Sequence, residues 1–410
     1  DPWLAGSEFR QQALEAESMV AGTLPDPVVS VGLANLPTDS FDFDQEAMTQ
    51  FKVGVSQVFP RGDSRELNRR RLTLLGEQFP HQRDDRRARV AVRVAHLWLE
   101  AFRAQETIRL IEKDRALFED LVDVAQSSYA SALGRTRQQD LVRAQLELTR
   151  LEDRLAMLHE RREMSWSRLG EWLAAGTSGL QQQHKAHPGG AGDGNLPALD
   201  LQQPRWFEEH SRFSSQQLAA TLKNHPAVLS LDRSIDASET GVALAEQKYR
   251  PQWKLNASYG YREDDPMGDD RADFFSVGVA FDLPLFTSKR QDKQVQSATA
   301  SVEARRTEKM LLLRNMMADF EAQRARLLRI NQRRDLYVSR LLQEMQEQAE
   351  ASLTAYTHDD GDFSELVRAR IAELNARIEA LDIEVDRLKT ISQINYFFAT
   401  TSTAGEGEAS

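Results

Sequence analysis

The sequence predicts a mainly α-helical fold with a small β portion, in which a β-hairpin joined to a long helical hairpin occurs twice. The decapeptide FKVGVSQVFP at residues 51–60 returns as FSVGVAFDLP at residues 275–284, 224 positions later. DLVRAQLEL at residues 140–148 returns as ELVRARIAEL at residues 365–374, a shift of 225 that one inserted residue explains. Agreement at a nearly fixed separation indicates a duplicated chain.

The composition of the 410-residue chain excludes several classes of protein. The formal net charge is −11 and no run of Lys and Arg is interleaved with aromatic residues, so no nucleic-acid partner is expected. Cysteine is absent, which excludes disulfides, thiolate zinc sites and cysteine nucleophiles. No uninterrupted apolar stretch approaches the roughly 20 residues of a membrane-spanning helix.

We predict four consecutive segments. They are a first repeat at residues 1–175, a Gly-, Gln- and Pro-rich connector or equatorial segment at 176–212, a second repeat at 213–398 and a disordered tail at 399–410. Within the repeats we expect strands at about 28–36, 51–59, 253–261 and 274–283, and helical hairpins at about 64–172 and 288–398. A Ser-x-x-Gln capping signature opens the second repeat and has no counterpart before Asp1, so we expect the printed sequence to begin inside the first repeat.

In the strands, apolar side chains alternate with small or polar ones. The apolar set, expected on one face and against lipid, is Phe51, Val53, Val55, Trp253, Leu255, Tyr259, Phe275, Val277, Val279 and Phe281. Strands of nine or ten residues have the length of transmembrane β-strands. A soluble amphipathic sheet would show the same alternation, but the duplication, the acidic loops and the long helices favour a small membrane β-barrel portion. Four strands cannot close a barrel, which needs about eight, so the chain is expected to assemble with copies of itself.

After the proline that ends each second strand, the pattern becomes that of a long charged helix. Residues 64–132 and 288–356 are predicted to be helical, with a kink or break at Pro80. The helices that return after a short turn carry unbroken apolar heptads, which predicts antiparallel coiled-coil hairpins. The heptad positions are Leu141, Ala144, Leu148, Leu151, Leu155 and Leu158 in the first copy, and Val367, Ile371, Leu374, Ile378, Leu381, Val385 and Leu388 in the second.

This order of elements, with ALEAESMVAGTLPDP, KNHPAV, AEQKYRPQWKLNASYGY and the Gly-x-Thr-x-x-x-Asp-Leu turn, resembles the TolC-like outer membrane factor family over nearly the whole chain. The resemblance implies a homotrimer with a shared twelve-stranded barrel in outer membrane lipid and an α-helical tunnel in the periplasm. It implies an efflux duct and not an enzyme, which receives substrate from an inner-membrane exporter, of the RND type or another, through a periplasmic adaptor (membrane fusion) protein.

The sequence around NHPAV and YRPQWKLNASYGYR is similar to that of the heavy-metal-resistance branch of the family, and this similarity implies heavy-metal cations as the cargo. Drug or organic solute efflux and type I secretion are the alternatives within the same fold. Two other classes stay open, a periplasmic coiled-coil adaptor and a structural coiled-coil protein. The first carries one such hairpin per chain, and the second does not explain the duplicated strand pairs.

The two helical turns are the candidate functional sites. Gly134 can end a helix in the left-handed conformation, Thr136 can cap the returning helix, and Asp140 suits its first turn. The resemblance makes these turns the adaptor-docking tips of the periplasmic end. The docking residues are Leu133, Gly134, Arg135, Thr136, Gly361 and Ser364.

The same turns are expected to form the periplasmic entrance and its gate. The entrance residues are Asp140, Arg143, Asp359, Asp360, Asp362, Glu365 and Arg368. The resemblance places acidic residues at the closed entrance, and Glu365 matches the first such position. Arg368 stands where an acid is common, so we expect Glu365 and Arg368 to pair within a chain or between subunits.

No set of residues predicts catalysis or a bound cofactor. His184 and His187 lie in the Gly-rich connector, and two imidazoles make a poor metal site. No Ser/His/Asp set, phosphate loop or metal-ligand spacing occurs in a convincing context. We therefore expect neither a catalytic residue nor a metal ligand.

Overall fold

The computed structural model describes residues 1–130, 138–173, 196–201, 214–358 and 362–400. The chain forms two compact units. The sheet unit consists of Pro2–Arg83 and Pro226–Leu312. The bundle unit consists of Asp84–His225 and Leu313–Ser410, together with Asp1. Each unit contains residues from both predicted repeats, and the boundaries of those repeats stay a prediction.

The elements follow in an order that repeats itself. The first series is α1 (Pro2–Gly22), β1 (Val28–Ala34), β2 (Gln50–Phe59), α2 (Ser64–Ala130) and α3 (Gln138–Leu173). The second series is α4 (Ser215–Leu222), α5 (Pro226–Glu246), β3 (Trp253–Tyr261), β4 (Phe274–Phe281), α6 (Gln291–Leu336), a π-helical turn (Tyr337–Leu341), α7 (Leu342–Thr357) and α8 (Phe363–Tyr396). Helices α1 and α5 each have 21 residues and begin at Pro2 and Pro226, 224 positions apart.

The sheet unit contains one antiparallel sheet with strand order β1-β2-β3-β4. The central pair, β2 and β3, joins the two repeats, and its register sets Val53 opposite Tyr259. The helices of this unit are linked through polar side chains. Arg83 of α2 donates to Gln11 of α1 at 2.8 Å, and Arg306 of α6 pairs with Glu239 of α5 at 2.8 Å.

The bundle unit has an apolar core to which α2, α3, α7 and α8 all contribute. Its buried members are Ile108, Ile111, Phe118, Leu121, Ala125, Ala144, Leu151, Leu155, Leu158, Phe363, Leu366, Val367, Leu374 and Ile378. Each large aliphatic side chain buried here stabilises the fold by about 1.5–3 kcal/mol. The heptad positions of both returning helices lie in this core or in the neighbouring cluster around Val385. The predicted fold class, mainly α with a small sheet and paired long helices, is confirmed.

Two local findings refine the sequence expectations. Of the kink or break expected at Pro80, the break is absent, because helix α2 runs without interruption to Ala130 although the proline lacks an N–H and its ring crowds the carbonyl of the residue four positions earlier. Residues 196–201, part of the predicted connector or equatorial segment, pack on α2. Trp98 Nε1 donates to the Pro197 carbonyl at 3.2 Å, and Leu196 is buried.

No helix within the described residues is both long enough and apolar enough to cross a membrane.

Candidate functional site

The register of the sheet places every predicted lipid-facing residue on one face. Val31 of β1, Val53 of β2, Tyr259 of β3 and Phe275 of β4 lie side by side across all four strands. The next row of this face brings Val29, Val55, Ala257 and Val277 together in the same way. We call this surface the apolar face.

The side chains of the apolar face are exposed in the single chain. The predicted residues range from 39% exposed at Val53 to 72% at Phe275. A soluble sheet of this kind would bury such a surface against a core, because large apolar patches are rarely left to water. The face therefore needs an apolar environment that the described residues of one chain do not supply.

Aromatic residues border the apolar face at both ends. Phe59, Trp253 and Phe281 form the row nearest to the helices, with the Trp253 and Phe281 ring centroids 4.8 Å apart. Phe51 and Tyr261 are paired near the far end. The rows between are mainly aliphatic and also contain Tyr259, Phe275 and Gln57. Aromatic girdles around an apolar band are typical of transmembrane β-barrels. The eight steps from one end of β3 to the other span about 27 Å along the strand, or roughly 20 Å in height at a tilt of about 40°.

The opposite face of the sheet, which we call the polar face, carries small and polar side chains. One complete row consists of Ser30, Gly54, Ser258 and Ser276. A Cβ atom at Gly54 would lie 2.9 Å from Ser30 Oγ, so there is little room for bulk at Gly54 itself. The two faces thus differ in polarity in the way that a barrel with a wet interior requires.

A polar junction joins the sheet to its helices. Arg61 pairs with Asp282 and donates to the Arg250 carbonyl at 2.7 Å. Arg250 in turn pairs with Asp63 at 3.0 Å. The turn after β2 is thereby bound to Arg250, just before β3, and to Asp282, just after β4. These contacts fix the position of the turn from which α2 begins.

At the second helical turn, the expected ion pair is not found. Asp362 caps α8, because its carboxylate accepts from the backbone N–H of Ser364 at 3.0 Å and from the Ser364 hydroxyl at 3.0 Å. Arg368 donates to the Ser364 carbonyl at 3.1 Å and not to Glu365. Within the described part of the chain the structure contains no Glu365–Arg368 ion pair, and both side chains are exposed. A pair between subunits stays a prediction.

The other predicted entrance and docking residues divide into two groups. In the first turn of α3, Asp140 is 6% exposed, whereas Arg143 is exposed. Several predicted residues lie outside the described residues: Leu133, Gly134, Arg135, Thr136, Asp359, Asp360 and Gly361. What the structure does bring together is the helix pairs that carry the two turns, because α2, α3, α7 and α8 share one core.

Some residues of the apolar face were missing from the sequence prediction. The odd-numbered residues of β1, from Val29 to Leu33, and the aromatic Phe59 and Tyr261 also lie on the apolar face. The alternation of apolar and polar residues with a period of two was the signal that could have found these residues. Applying it along the whole of each strand would have included them. Among the described residues there is no group of three or more His, Asp or Glu side chains that could hold a metal ion.

No protein-family model and no curated protein matches the chain. Solved structures are similar to it over nearly its whole length. The outer membrane channel OprN superposes with a TM-score of 0.76 at 14% identity, over 97% of this chain and 87% of that one. The CmeC outer membrane channel of Campylobacter jejuni gives a TM-score of 0.75 at 13% identity, over 97% and 82%.

The open state of the MtrE outer membrane channel of Neisseria gonorrhoeae gives a TM-score of 0.73 at 13% identity, over 97% of this chain and 86% of that one. At identities this low the superposition establishes the fold, and all three similar proteins are outer membrane channels. The chain therefore has the fold of the TolC-like outer membrane channels, as its sequence resemblance predicts.

Proposed function

We propose that this protein is an outer membrane channel that serves as the passive exit duct of a tripartite efflux system. The observation that carries the proposal is the apolar face, which is exposed on all four strands and bordered by aromatic rows. The fold shared with outer membrane channels supports it. In this function the protein binds and releases solutes without chemistry, and it needs no cofactor.

The proposal includes a homotrimer. In the described residues, β1 and β4 each pair along one side only and leave one backbone edge open. An open edge in a membrane is costly because its N–H and C=O groups have no water to bind. Three copies joined edge to edge would supply twelve strands, enough to close a barrel of which the apolar face is the outer surface.

The two helical turns are proposed as the periplasmic end of the duct. Under this proposal Leu133–Thr136, Gly361 and Ser364 meet the adaptor, and the acidic residues near Asp362 and Glu365 surround the entrance. The capping of α8 by Asp362 supports a rigid helix end at this position. Because Arg368 binds the Ser364 carbonyl in its own chain, a Glu365–Arg368 contact would have to form between subunits after Arg368 changes partner.

The exporter that feeds this duct is proposed to be of the RND or another inner-membrane type. The cargo is heavy-metal cations if the branch resemblance holds, and drugs, organic solutes or secreted proteins otherwise. An adjacent gene for a metal-type or a drug-type exporter would separate these cases.

A pair of lysine substitutions tests the channel proposal. Val277→Lys puts a charge in the middle of the apolar face, whereas Ser276→Lys puts it on the polar face of the same strand. A charge facing lipid near the bilayer centre costs about 2–4 kcal/mol. We expect Val277→Lys to lower the amount of protein in the outer membrane fraction, whereas Ser276→Lys stays near the wild-type level.

Equal effects of the two substitutions would contradict a lipid-facing role for this surface. Recovery of the wild-type protein from the soluble fraction without detergent would favour the periplasmic adaptor or the structural coiled-coil class.

A further inference from the structure

The charged residues on the polar face of the sheet all have the same sign. From β1 to β4 the described positions of this face that pair across strands carry Gly, Ser, Ala, Asn, Val, Gln and Phe side chains, and two charges. Those charges are Lys52 on β2 and Lys254 on β3. No carboxylate lies on this face between the strand ends.

Each lysine is surrounded by side chains that cannot shield it. Lys52 lies in register with Gly32 and Gly260, and Lys254 lies in register with Val58 and Ala280, none of which carries a charge. Both lysines are exposed. Neither has a hydrogen-bond or ion-pair partner among the described residues. A lysine on a flexible four-carbon stem, with only small neighbours, holds its ammonium group in the adjoining solvent.

The two carboxylates next to the ends of β4, one at each end, are already occupied. Asp282, next to the helices, is held by Arg61 and by the Gln252 N–H. Asp273, at the opposite end, accepts from the Tyr259 hydroxyl and from the Arg262 N–H. Neither is therefore available to neutralise the lysines.

The acidic loops lie beyond the far end of the strands. Lys254 is about 25 Å along β3 from the first of those loop residues, at about 3.3 Å per residue. That distance is about three Debye lengths at physiological ionic strength, where one Debye length is about 8 Å. Lys254 therefore sets the local potential around itself. Gly260, which is paired with Lys52, lies six steps further along β3, so the two charges are about 20 Å apart.

We infer that Lys52 and Lys254 form two rings of fixed positive charge inside the barrel and make this section of the duct favour anionic over cationic solutes. The inference rests on the proposed function, because three copies and an inward-facing polar face turn two lysines into two rings. Fixed charges lining a pore select ions by sign, and neither ring is offset by acids in the strands.

This inference narrows the class of cargo. Anionic solutes, including metals carried as anionic complexes, are attracted by two positively charged rings, and neutral solutes pass them without repulsion. Free divalent metal cations meet positive charge at both rings. The barrel thus argues against free heavy-metal cations, the cargo that the branch resemblance implies.

The experiment uses single cysteines, which are unambiguous because the chain contains none. Lys254→Cys and Lys52→Cys are reconstituted in planar bilayers with 0.1 M KCl on one side and a gradient across the membrane. Each is treated with a methanethiosulfonate reagent that carries either a trimethylammonium or a sulfonate group. We expect the sulfonate to lower the ratio of chloride to potassium permeability about two-fold or more relative to the trimethylammonium reagent. The difference should shrink in 1 M KCl, where the Debye length is about 3 Å.

Two control variants separate the inference from the function on which it rests. Ser258→Cys, on the polar face, should react and gain anion preference with the cationic reagent. Leu255→Cys, on the apolar face, should not react with either water-soluble reagent. Failure of every variant and the wild type to form channels, or ready labelling of Leu255→Cys, would overturn the proposed function itself. Working channels in which Lys254→Cys is not labelled, or in which reagents of opposite charge give the same permeability ratio, would overturn the lysine rings alone.

Discussion

Gly62 is a residue whose backbone conformation favours glycine and whose Cβ position is crowded. Its φ is +43°, in the left-handed region that side chains disfavour. A Cβ atom there would lie 2.4 Å from Arg250 Cδ and 2.4 Å from Gln247 Oε1. Arg250 belongs to the junction that holds the turn after β2, and Gln247 Oε1 accepts from the Asp63 N–H of that turn at 3.1 Å. An added Cβ would therefore displace side chains that join the two repeats.

We predict that Gly62→Ala destabilises the protein by about 2–3 kcal/mol, since strain of about 1–2 kcal/mol adds to the displaced junction. Gly268→Ala is the matched control. Its φ is +93°, but nothing lies within 4 Å of the added Cβ atom. The melting temperature of the detergent-solubilised protein should fall clearly more for Gly62→Ala than for Gly268→Ala. Similar losses would mean that backbone conformation alone decides the effect.

His225 is a buried titratable residue of the bundle unit. It is 1% exposed, its Nε2 lies 3.0 Å from the Tyr396 carbonyl oxygen, and its ring meets the Tyr396 ring edge-on. Burial lowers the pKa of His225. The Tyr396 carbonyl and Asp85 raise this pKa and the Arg89 charge lowers it, but burial is the largest effect. Burial also raises the pKa of Tyr396 to about 12, so its hydroxyl stays protonated and donates to Asp85 at 2.8 Å.

The lowered pKa of His225 predicts a loss of stability in mild acid. Above about pH 6.5 the imidazole is neutral in the folded and unfolded chains, so it adds no pH dependence. Below that pH the unfolded chain takes up the proton first, and the free energy of unfolding falls by up to about 1.4 kcal/mol per pH unit until the folded pKa is reached. His225→Gln should flatten the fall of melting temperature between pH 7 and pH 5.

In the His225→Gln variant, His96 still contributes to the fall of melting temperature with pH, because burial lowers the pKa of His96 as well. The slope should therefore decrease and not vanish. An unchanged slope in His225→Gln would show that His225 does not take part.

At the scale of the elements, the sequence predicted what depends on regular periods. Heptads located the apolar core of α3 and α8, and alternation located the two faces of the sheet, because both patterns are repeated over many residues. It did not predict the burial of Asp140 or the Arg368–Ser364 contact. The burial of Asp140 depends on the surrounding fold, and Arg368 binds the Ser364 carbonyl of its own helix instead of the neighbouring Glu365; a sequence period records neither. The break at Pro80, one of the two outcomes expected there, does not occur, because a proline alone does not decide whether a long helix is interrupted.

The π-helical turn at Tyr337–Leu341 explains a further irregularity. The repeats are 224 positions apart at Pro60 and Pro284 but 225 apart at Asp140 and Glu365. A π-helical turn accommodates one extra residue inside an α-helix without changing the direction of the side chains beyond it. In the second repeat, the π-helical turn lies between Pro284 and Glu365, where the shift changes from 224 to 225. We interpret this turn as the place of the inserted residue.

We therefore predict that deletion of Ser339 is tolerated, because it turns the π-helical turn into regular α-helix. Deletion of the exposed Gln348 from α7 is the matched control. It should rotate the following residues by about 100° and displace Leu353 and Tyr356 from the bundle core. The control should cost about 2–5 kcal/mol, as losses of buried side chains do. Melting temperatures and yields in the membrane fraction would measure both. Equal damage would contradict the insertion.

At the scale of the whole molecule, the duplication predicts how copies of the chain would meet. If the barrel repeats its β2–β3 pairing between copies, β4 of one copy takes the place of β2 and β1 of the next takes the place of β3. The observed Val55–Ala257 pair then becomes Val279 opposite Leu33, each shifted by 224 positions. Both residues lie on the apolar face in their own chain. A register shifted by one residue would set one of them on the wrong face.

Cysteine pairs test this register directly, since every disulfide must come from the added residues. Co-expression of a Val279→Cys copy with a Leu33→Cys copy should give covalent dimers on a non-reducing gel, because directly opposite residues in a sheet have Cα atoms about 4.5–5.5 Å apart. The control pair, Val279→Cys with Val29→Cys, places the cysteines four residues out of register, about 13 Å along the strand and beyond the ~7 Å reach of a disulfide. A single chain carrying Val279→Cys and Leu33→Cys should form covalent trimers, since each copy would then be joined to both neighbours. Stronger cross-linking of the control pair would place the copies in another register, and membrane-inserted protein with no cross-link at either pair would mean that β4 and β1 do not meet.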